Sequence, residues 1–361
     1  MGAAEPRAEQ LAEQIRAAAG ARTPLVIRAG GTKDFYGNPC EGDVLDPRPY
    51  RGVVAYEPTE LVITARCGTP LAELEAVLAE RNQSLPFEPP HFGPGATVGG
   101  CIAAGLAGPR RAGAGAVAGS VRDFVLGAKL IDGRGQMLAF GGTVMKNVAG
   151  YDMARALTGS LGTLGLIVEA SIKVLPTPAA EATLRFDLTA ADALAKMNQW
   201  AGKPLPISGT FWCDGTLYLR LSGANAAIHA ACAALGGERL DDKQATALWT
   251  AVREQTHGFF GSDVPLWRMS LPSTTPPLDL PDPQAIEWGG ALRWLRSARP
   301  AAELRALAAR HGGHATLFRG GDRLAGVFHP LPPALAAIHR RLKAEFDPAG
   351  IFNRGRMYTE F

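Results

Sequence analysis

The 361-residue sequence predicts an α+β protein of two domains, and three observations carry that prediction. The length exceeds the roughly 100–200 residues of a usual single domain. Pro176-Thr-Pro178 supplies a stiff break where a linker would sit. Strand-like and helix-like runs mix on both sides of that break, with a hairpin signal at Asp132-Gly-Arg-Gly135 on the near side. The expected organisation is a first domain over residues 1–178, a cap domain with an antiparallel sheet over 179–330, and a C-terminal segment, 331–361, that returns to the first domain.

The elements follow in order. Leu11, Ile15 and Ala18 recur at helical spacing within Glu9 to Ala19, and Gly20 ends the helix. A short strand, Pro24 to Arg28, leads into a glycine turn. Gly52 to Tyr56 and Leu61 to Arg66 read as strands, and Thr69-Pro70 caps a helix carrying Leu71, Leu74, Val77 and Leu78. Gly95 to Gly119 is almost wholly small residues and promises little core. The hairpin occupies Val125 to Phe140, followed by a short helix near Asp152 to Thr158 and a strand from Leu166 to Leu175. Beyond Ala179 come a strand (Ala182 to Leu188), a helix (Ala190 to Ala201), a strand pair with alternating Leu217 to Leu221, and a helix (Ala224 to Leu235). Short strands near Trp267 to Leu271 and Ala291 to Leu295 and a helix near Ala301 to Arg310 complete the cap. Leu335 to Phe346 reads as an amphipathic helix, ending in a turn-rich stretch to Asn353.

Composition removes several function classes. With 47% hydrophobic and 20% charged residues the chain has matter for a core, and 43 Gly with 27 Pro imply many tight turns. A net charge of +3, without a run of like charges, gives no footprint for nucleic acid. Apolar runs stop well short of the ~18–20 residues that span a bilayer, and no signal-peptide core is visible. A cytoplasmic protein is expected, peripheral at the inner membrane only through partners. Cys40, Cys67, Cys101, Cys213 and Cys232 are scattered without metal-ligand spacing and read as reduced structural thiols, so no zinc or iron–sulfur site is expected.

The glycine loops carry the chemistry. A diphosphate needs several backbone amides converging on it, and glycine lets the chain approach closely and turn them inward. Arg28-Ala-Gly-Gly-Thr-Lys33 follows a buried strand and can supply such a nest. Pro94-Gly-Ala-Thr-Val-Gly-Gly100 gives a second cradle, and Ser120-Val-Arg-Asp123, Lys146-Asn-Val-Ala-Gly-Tyr-Asp152 and Gly159-Ser-Leu-Gly-Thr-Leu-Gly165 follow in order.

Together these motifs resemble the FAD-binding domain of the vanillyl-alcohol oxidase, or PCMH, type across residues 1–178. Within that type the chain is similar to the bacterial glycolate oxidase E subunits, through KNVAGYD, GSLGTLG and the closing FDPAGIFNRGRM. The resemblance implies a two-lobed FAD domain with the cofactor between a small α/β lobe and a larger antiparallel lobe. The cofactor-binding residues it implies are Arg28, Ala29, Gly30, Gly31, Thr32, Lys33, Gly95, Ala96, Thr97, Gly99, Gly100, Ser120, Asp123, Gly162, Thr163, Gly165 and Ile167. The first loops wrap the pyrophosphate, Thr32 and Thr97 add hydroxyl donors, and Gly162, Thr163 and Ile167 run along the adenosine half. Some covalent flavoproteins of this type carry His where Thr32 stands, so non-covalent FAD is expected.

Gly113-Ala-Gly-Ala-Val-Ala118 fits a dinucleotide fingerprint, but Pro109-Arg-Arg111 precedes it where a strand is required, so it reads as a small-residue loop. Oxidising a 2-hydroxy acid needs a cation for the carboxylate, a base for the hydroxyl proton and a hydride path to the flavin. The candidates for these roles are Lys146, Tyr151, Arg319, His329 and Arg356. Each also has a plain reading, as a turn lysine, a packed aromatic, an ion-paired arginine or a loop histidine. His311-Gly-Gly-His314 lacks a third ligand, and no metal is expected. The histidine-containing metal motif of the related D subunit has no counterpart here.

The resemblance implies a complex with a flavin-bearing D subunit and an iron–sulfur F subunit, oxidising glycolate or another small 2-hydroxy acid such as D-lactate. Two alternatives stand beside it: a structural or electron-relay subunit of that complex, and an oxidase of the same fold acting on another alcohol or a sugar.

Overall fold

A computed structural model describes residues 6–113, 119–143 and 152–360. The helix Pro6–Ala21 buries Ala8, Leu11, Ala12, Ile15 and Ala18, one stripe at three- and four-residue spacing. That stripe packs on Leu25 and Leu45, which belong to the parallel strand pair Leu25–Ile27 and Asp43–Leu45, and on Ile351 and Phe352 from the C-terminal segment. Leu25 N–H donates to Ile351 O at 2.8 Å and Asn353 N–H to Leu25 O at 2.9 Å, so the chain's end lies alongside its first strand.

A five-stranded antiparallel sheet forms the larger lobe, in the order Val53–Glu57, Val62–Arg66, Leu166–Lys173, Val125–Ile131 and Met137–Gly141. The hairpin closes where Asp132 was expected to turn the chain: its Oδ1 accepts from Arg134 N–H at 2.9 Å and Gln136 N–H at 2.8 Å. The helix Leu71–Ala79 buries Leu71, Leu74 and Leu78 as its spacing predicts, but Thr69 does not cap it. The Thr69 hydroxyl instead accepts from Gly52 N–H at 2.8 Å and donates to Arg66 O at 2.6 Å.

The small-residue stretch contributes more core than expected. The helix Val98–Ala104 buries Val98, Cys101, Ile102 and Ala104, because small side chains let it lie close to its neighbours. Gly113 follows a 3-10 turn, Pro109–Ala112, and not a strand, which removes the dinucleotide fingerprint; residues 114–118 lie outside the described residues.

The cap sheet has eight antiparallel strands, in the order Glu238–Arg239, Ala180–Asp187, Thr216–Gly223, Ile207–Cys213, Gln284–Glu287, Leu292–Arg296, Leu266–Ser270 and His314–Arg319. One face is covered by the helices Ala190–Ala201, Asn225–Leu235 and Ala301–Arg310. The other face, carrying Phe211, Trp294 and Phe318, packs on Tyr36, Ala104 and Leu106 of the first domain.

The last helix, Pro333–Phe346, carries a buried Lys343 in its last turn. Its ammonium donates to Asp347 Oδ2 at 2.7 Å, Thr163 O at 2.7 Å and Phe352 O at 2.8 Å, tying the C-terminal turn to the Gly162 loop. A buried ammonium is tolerated only with its three protons so placed.

Candidate cofactor cleft

A cleft runs between the turn from Val26 to Asp34 and the helix Val98–Ala104. Its two halves share Ile27, Ala29, Gly100, Ala103, Leu161 and Asn353. One half, of about 640 Å³, is walled by Arg28 to Asp34, Gly95, Thr97 and Arg356. The other, of about 450 Å³, is walled by Gly99, Gly162, Gly165 and Ile167.

The first half is a nest of amides. Among the described residues, the N–H groups of Ala29, Gly30, Gly31, Thr32 and Lys33 donate to no acceptor in the chain. The amides on either side are bonded, Arg28 N–H to Leu45 O and Asp34 N–H to Gly31 O, both at 3.1 Å. Half-buried amides left open in a row suit an anion. Glycine makes the row possible: Gly31 has φ of +69°, and a Cβ on Gly30 would stand 1.6 Å from Gly95 O.

Charge agrees with the amides. Arg28, Lys33 and Arg356 line this half against a single carboxylate, Asp34, which Arg28 Nε meets at 2.7 Å. Lys33 Nζ donates to His91 O at 3.2 Å, and burial pulls its pKa below the usual lysine value. Arg356 donates to Lys33 O at 3.3 Å and Asp34 O at 3.2 Å, so it fastens the far end of the nest.

Several expected site residues lie elsewhere. Ser120 and Asp123 are spent on each other: Ser120 N–H and Oγ reach Asp123 Oδ2 at 2.8 and 2.7 Å, a capping box on the short helix Val121–Phe124. Thr163 is buried, its hydroxyl donating to Ser160 O at 2.8 Å, and does not line the cleft. Ala96 is buried behind the cleft, its N–H on Gly93 O and its carbonyl taken by Leu71 N–H at 2.8 Å. Thr97 lines the cleft, but its oxygen accepts from Gly100 N–H at 3.2 Å as the helix cap.

The candidates for chemistry are also scattered. Lys146 and Tyr151 fall outside the described residues. His329 Nδ1 accepts from Ala315 N–H at 3.4 Å and its carbonyl from Tyr358 Oη at 3.2 Å, pinning a loop of the cap. Burial and, behind it, Arg305 hold its pKa below the ordinary histidine value. Arg319 donates to Gln255 Oε1 at 2.9 Å and stands 4.5 Å from the ring centre of Phe35.

Asn353 was not singled out from the sequence. Its Oδ1 accepts from Ile27 N–H at 2.8 Å, its Nδ2 donates to Leu161 O, and it lines both halves. The closing motif contains it, but nothing in that motif marks an asparagine as a wall of a distant cleft.

Residues 5–141 match the family described as FAD binding domain. Over 352 residues the chain is 49% identical to the glycolate oxidase subunit GlcE of Escherichia coli (strain K12), covering 98% of this chain and 97% of that one. The chain belongs to the GlcE family of glycolate oxidase subunits. Its cofactor is FAD, and it is an FAD-dependent oxidoreductase subunit.

This GlcE-family chain is also 32% identical over 201 residues to the glycolate oxidase subunit GlcD of Bacillus subtilis (strain 168), spanning 54% of this chain and 42% of that protein. A D-lactate dehydrogenase of Anaerostipes hadrus is 33% identical over 159 residues, 44% of this chain and 31% of that one. Among solved structures, an alkyldihydroxyacetonephosphate synthase superposes with a TM-score of 0.67 at 14% identity, over 96% of this chain and 74% of that one, a likeness of fold. Among the described residues no helix is long and apolar enough to cross a membrane, and no group of three or more His, Cys, Asp or Glu is placed to hold a metal ion.

Proposed function

We propose that this chain is the FAD-holding subunit of a complex that oxidises glycolate to glyoxylate, with the diphosphate of FAD in the nest from Ala29 to Lys33. The row of acceptor-free amides carries this reading. The nest fits the group: its amides lack acceptors, its glycines leave the backbone bare, and its cations exceed its carboxylates. Gly95 and Gly100 complete the diphosphate end, while Gly162, Gly165 and Ile167 wall the adenosine end.

When bound, FAD supplies an acceptor for the two electrons released from C2 of a 2-hydroxy acid. The chain's own residues position and exclude. Arg356 and Asn353 hold the two sides of the cleft from the C-terminal segment, and Lys33 puts a desolvated cation at the nest's end. Electrons leave to partner subunits, a flavin-bearing D subunit and an iron–sulfur F subunit, through which the complex meets the membrane.

The test is to purify the full chain, record its visible spectrum, and repeat with Gly31→Val and Gly162→Val combined. A Cβ on Gly162 would stand 2.7 Å from Asn353 Nδ2, and both glycines have positive φ, +69° and +72°. FAD retention should be lost in the double variant. Unchanged FAD affinity would remove the loop assignment.

A further inference from the structure

The cap sheet ends in a strand edge that the chain leaves half uncovered. Ala180–Asp187 pairs with Thr216–Gly223 along its whole length, but on its other side it meets only the two-residue strand Glu238–Arg239, at Leu184 and Arg185. Leu240 N–H donates to Thr183 O at 3.0 Å on that side, and Ser222, opposite Glu181, donates its N–H away from this strand, to Pro206 O at 2.9 Å. Backbone groups alternate sides along a strand, so Glu181 N–H and C=O and Thr183 N–H point outward from the edge, where no bond to them forms among the described residues.

A groove of about 560 Å³ runs along this edge. One wall is Ala180 to Thr183; the other is a stripe of the helix Asp242–Arg253, made of Ala245, Thr246, Trp249, Thr250 and Arg253. The groove reaches both faces of the strand, since Ala182 belongs to the outer core while Thr183 turns inward and its hydroxyl accepts from Trp249 Nε1 at 2.9 Å. Edges of this kind are commonly guarded by a charge. Here the one charged side chain of the wall, Glu181, is tied back by Arg110 Nη2 at 2.7 Å and Ser222 Oγ at 2.6 Å. The lining carries Arg220, Arg239 and Arg253 beside Glu88, Glu181 and Asp242, so its charges cancel and select neither an anion nor a cation.

We propose that an extended segment of another subunit of the complex docks in this groove as an added strand, its backbone bonding Glu181 N–H, Glu181 C=O and Thr183 N–H. The groove offers a row of open backbone groups between walls of no net charge, and an extended peptide backbone is the group that completes such a row. Four residues of strand span about 13 Å, so the added segment is short. Ala245, Thr246 and Thr250 are small and leave room for its side chains opposite the edge. A second copy of this chain would bring its own helix Asp242–Arg253 along with its edge, whereas a groove walled on both sides admits one strand and not a second sheet. The partner's membership of the complex rests on the proposed function; the addition of a strand rests on the edge alone.

The experiment follows amide hydrogen exchange in the full chain, alone and in the complex assembled with the D and F subunits. The Glu181 and Thr183 amides should exchange freely in the chain alone and slow by about ten-fold or more in the complex. Glu181→Pro and Glu181→Ala both lose the carboxylate, but only the first loses the outward N–H. Glu181→Pro should therefore weaken assembly by about three-fold or more beyond Glu181→Ala. Thr250→Trp, at an exposed position of the helix, fills the groove and should weaken assembly as well. Unslowed exchange in the complex, equal assembly of the two Glu181 variants, unchanged assembly of Thr250→Trp, or no assembly of the unmodified chain overturns the inference. Protection that arises in the chain alone as its concentration rises also overturns it, by seating a second copy in the groove. Exchange in the unmodified chain decides even if the variants misfold. Glycolate oxidation by the same complex separates the two readings: oxidation with both amides unprotected keeps the proposed function and removes the docking site, and protection without oxidation does the reverse.

Discussion

Gly30 and Gly95 meet backbone to backbone, so that a Cβ on Gly30 would stand 1.6 Å from the Gly95 carbonyl oxygen and 2.8 Å from its Cα. No side-chain motion relieves a clash with backbone, so Gly30→Ala must part the two loops that frame the amide nest. Flavin absorbance per chain should fall about five-fold or more, since overpacking of this kind typically costs about 1–3 kcal/mol. Gly20→Ala, where a Cβ meets nothing within 4 Å, should leave it unchanged. Equal flavin content in the two variants would detach the Gly30–Gly95 contact from cofactor binding.

Asn353→Ala removes an acceptor from Ile27 N–H and a donor from Leu161 O at one stroke. Two backbone groups left unpaired should cost about 2–4 kcal/mol of stability. Asn353→Asp keeps the acceptor and loses the donor, so it should fall between. Urea unfolding with and without FAD measures both, and the FAD-dependent increment should shrink in Asn353→Ala because the residue lines the cleft.

The boundaries of several helices and the hairpin were legible because each depends on local spacing: Ala190–Ala201 and Ala301–Arg310 form over the spans their apolar periodicity marks. The glycine loops were legible as a set, since a backbone nest needs glycine in a short window, and Ala29 to Lys33 lies in one. What was missed had a local cause in one place and non-local causes elsewhere. Ser120 and Asp123 sit three apart, the spacing of a capping box, and the local bond won over the cofactor assignment. The strand Gln284–Glu287 has four residues and the strand His314–Arg319 begins on a histidine, so their places in the cap sheet come from pairing with distant partners. Asn353 stayed hidden for the same reason, as it gains its meaning from residues far away in the chain.

Thr32 lines the nest where covalent attachment would need a nucleophilic ring nitrogen, and a threonine hydroxyl is not one. Acid precipitation should therefore release all the flavin into the supernatant. Colour remaining with the pellet would overturn this.

Glu287, buried in the cap sheet, gives the fold's stability a pH dependence. Burial pushes its pKa from 4.5 up to about 7, against the opposing effects of the Trp294 hydrogen bond and of Arg268, with Glu88 adding to the rise. A raised carboxyl pKa means the folded chain holds a proton that the unfolded chain has lost. Its contribution to stability is thus fully present below about pH 4.5 and is lost as the pH rises through about 7. The difference between those pKa values corresponds to about 3 kcal/mol at most. Glu287→Gln keeps an oxygen for Trp294 and removes the titration. Its stability relative to the unmodified chain should rise between pH 4.5 and 7, and parallel curves across that window would exclude the shift.

Glu254 joins the two domains through backbone amides: its Oε2 accepts from His91 N–H at 3.1 Å and Phe92 N–H at 2.8 Å, while Arg253 Nε holds Oε1 at 2.9 Å. His91 and Phe92 precede the Gly95 cradle, and Lys33 bonds the His91 carbonyl, so this carboxylate in the cap fixes the loop on which the nest leans. Glu254→Ala leaves two half-buried amides unpaired and should cost about 2–4 kcal/mol, whereas Glu254→Gln retains one acceptor oxygen and should cost less. A purely local effect would lower the unfolding temperature alone. A clamp predicts more: amide hydrogen exchange should quicken at His91 and Phe92 in Glu254→Ala, and FAD affinity should weaken although the residue lies outside the cleft lining. Unchanged exchange at those two amides would show that the domains hold together without it.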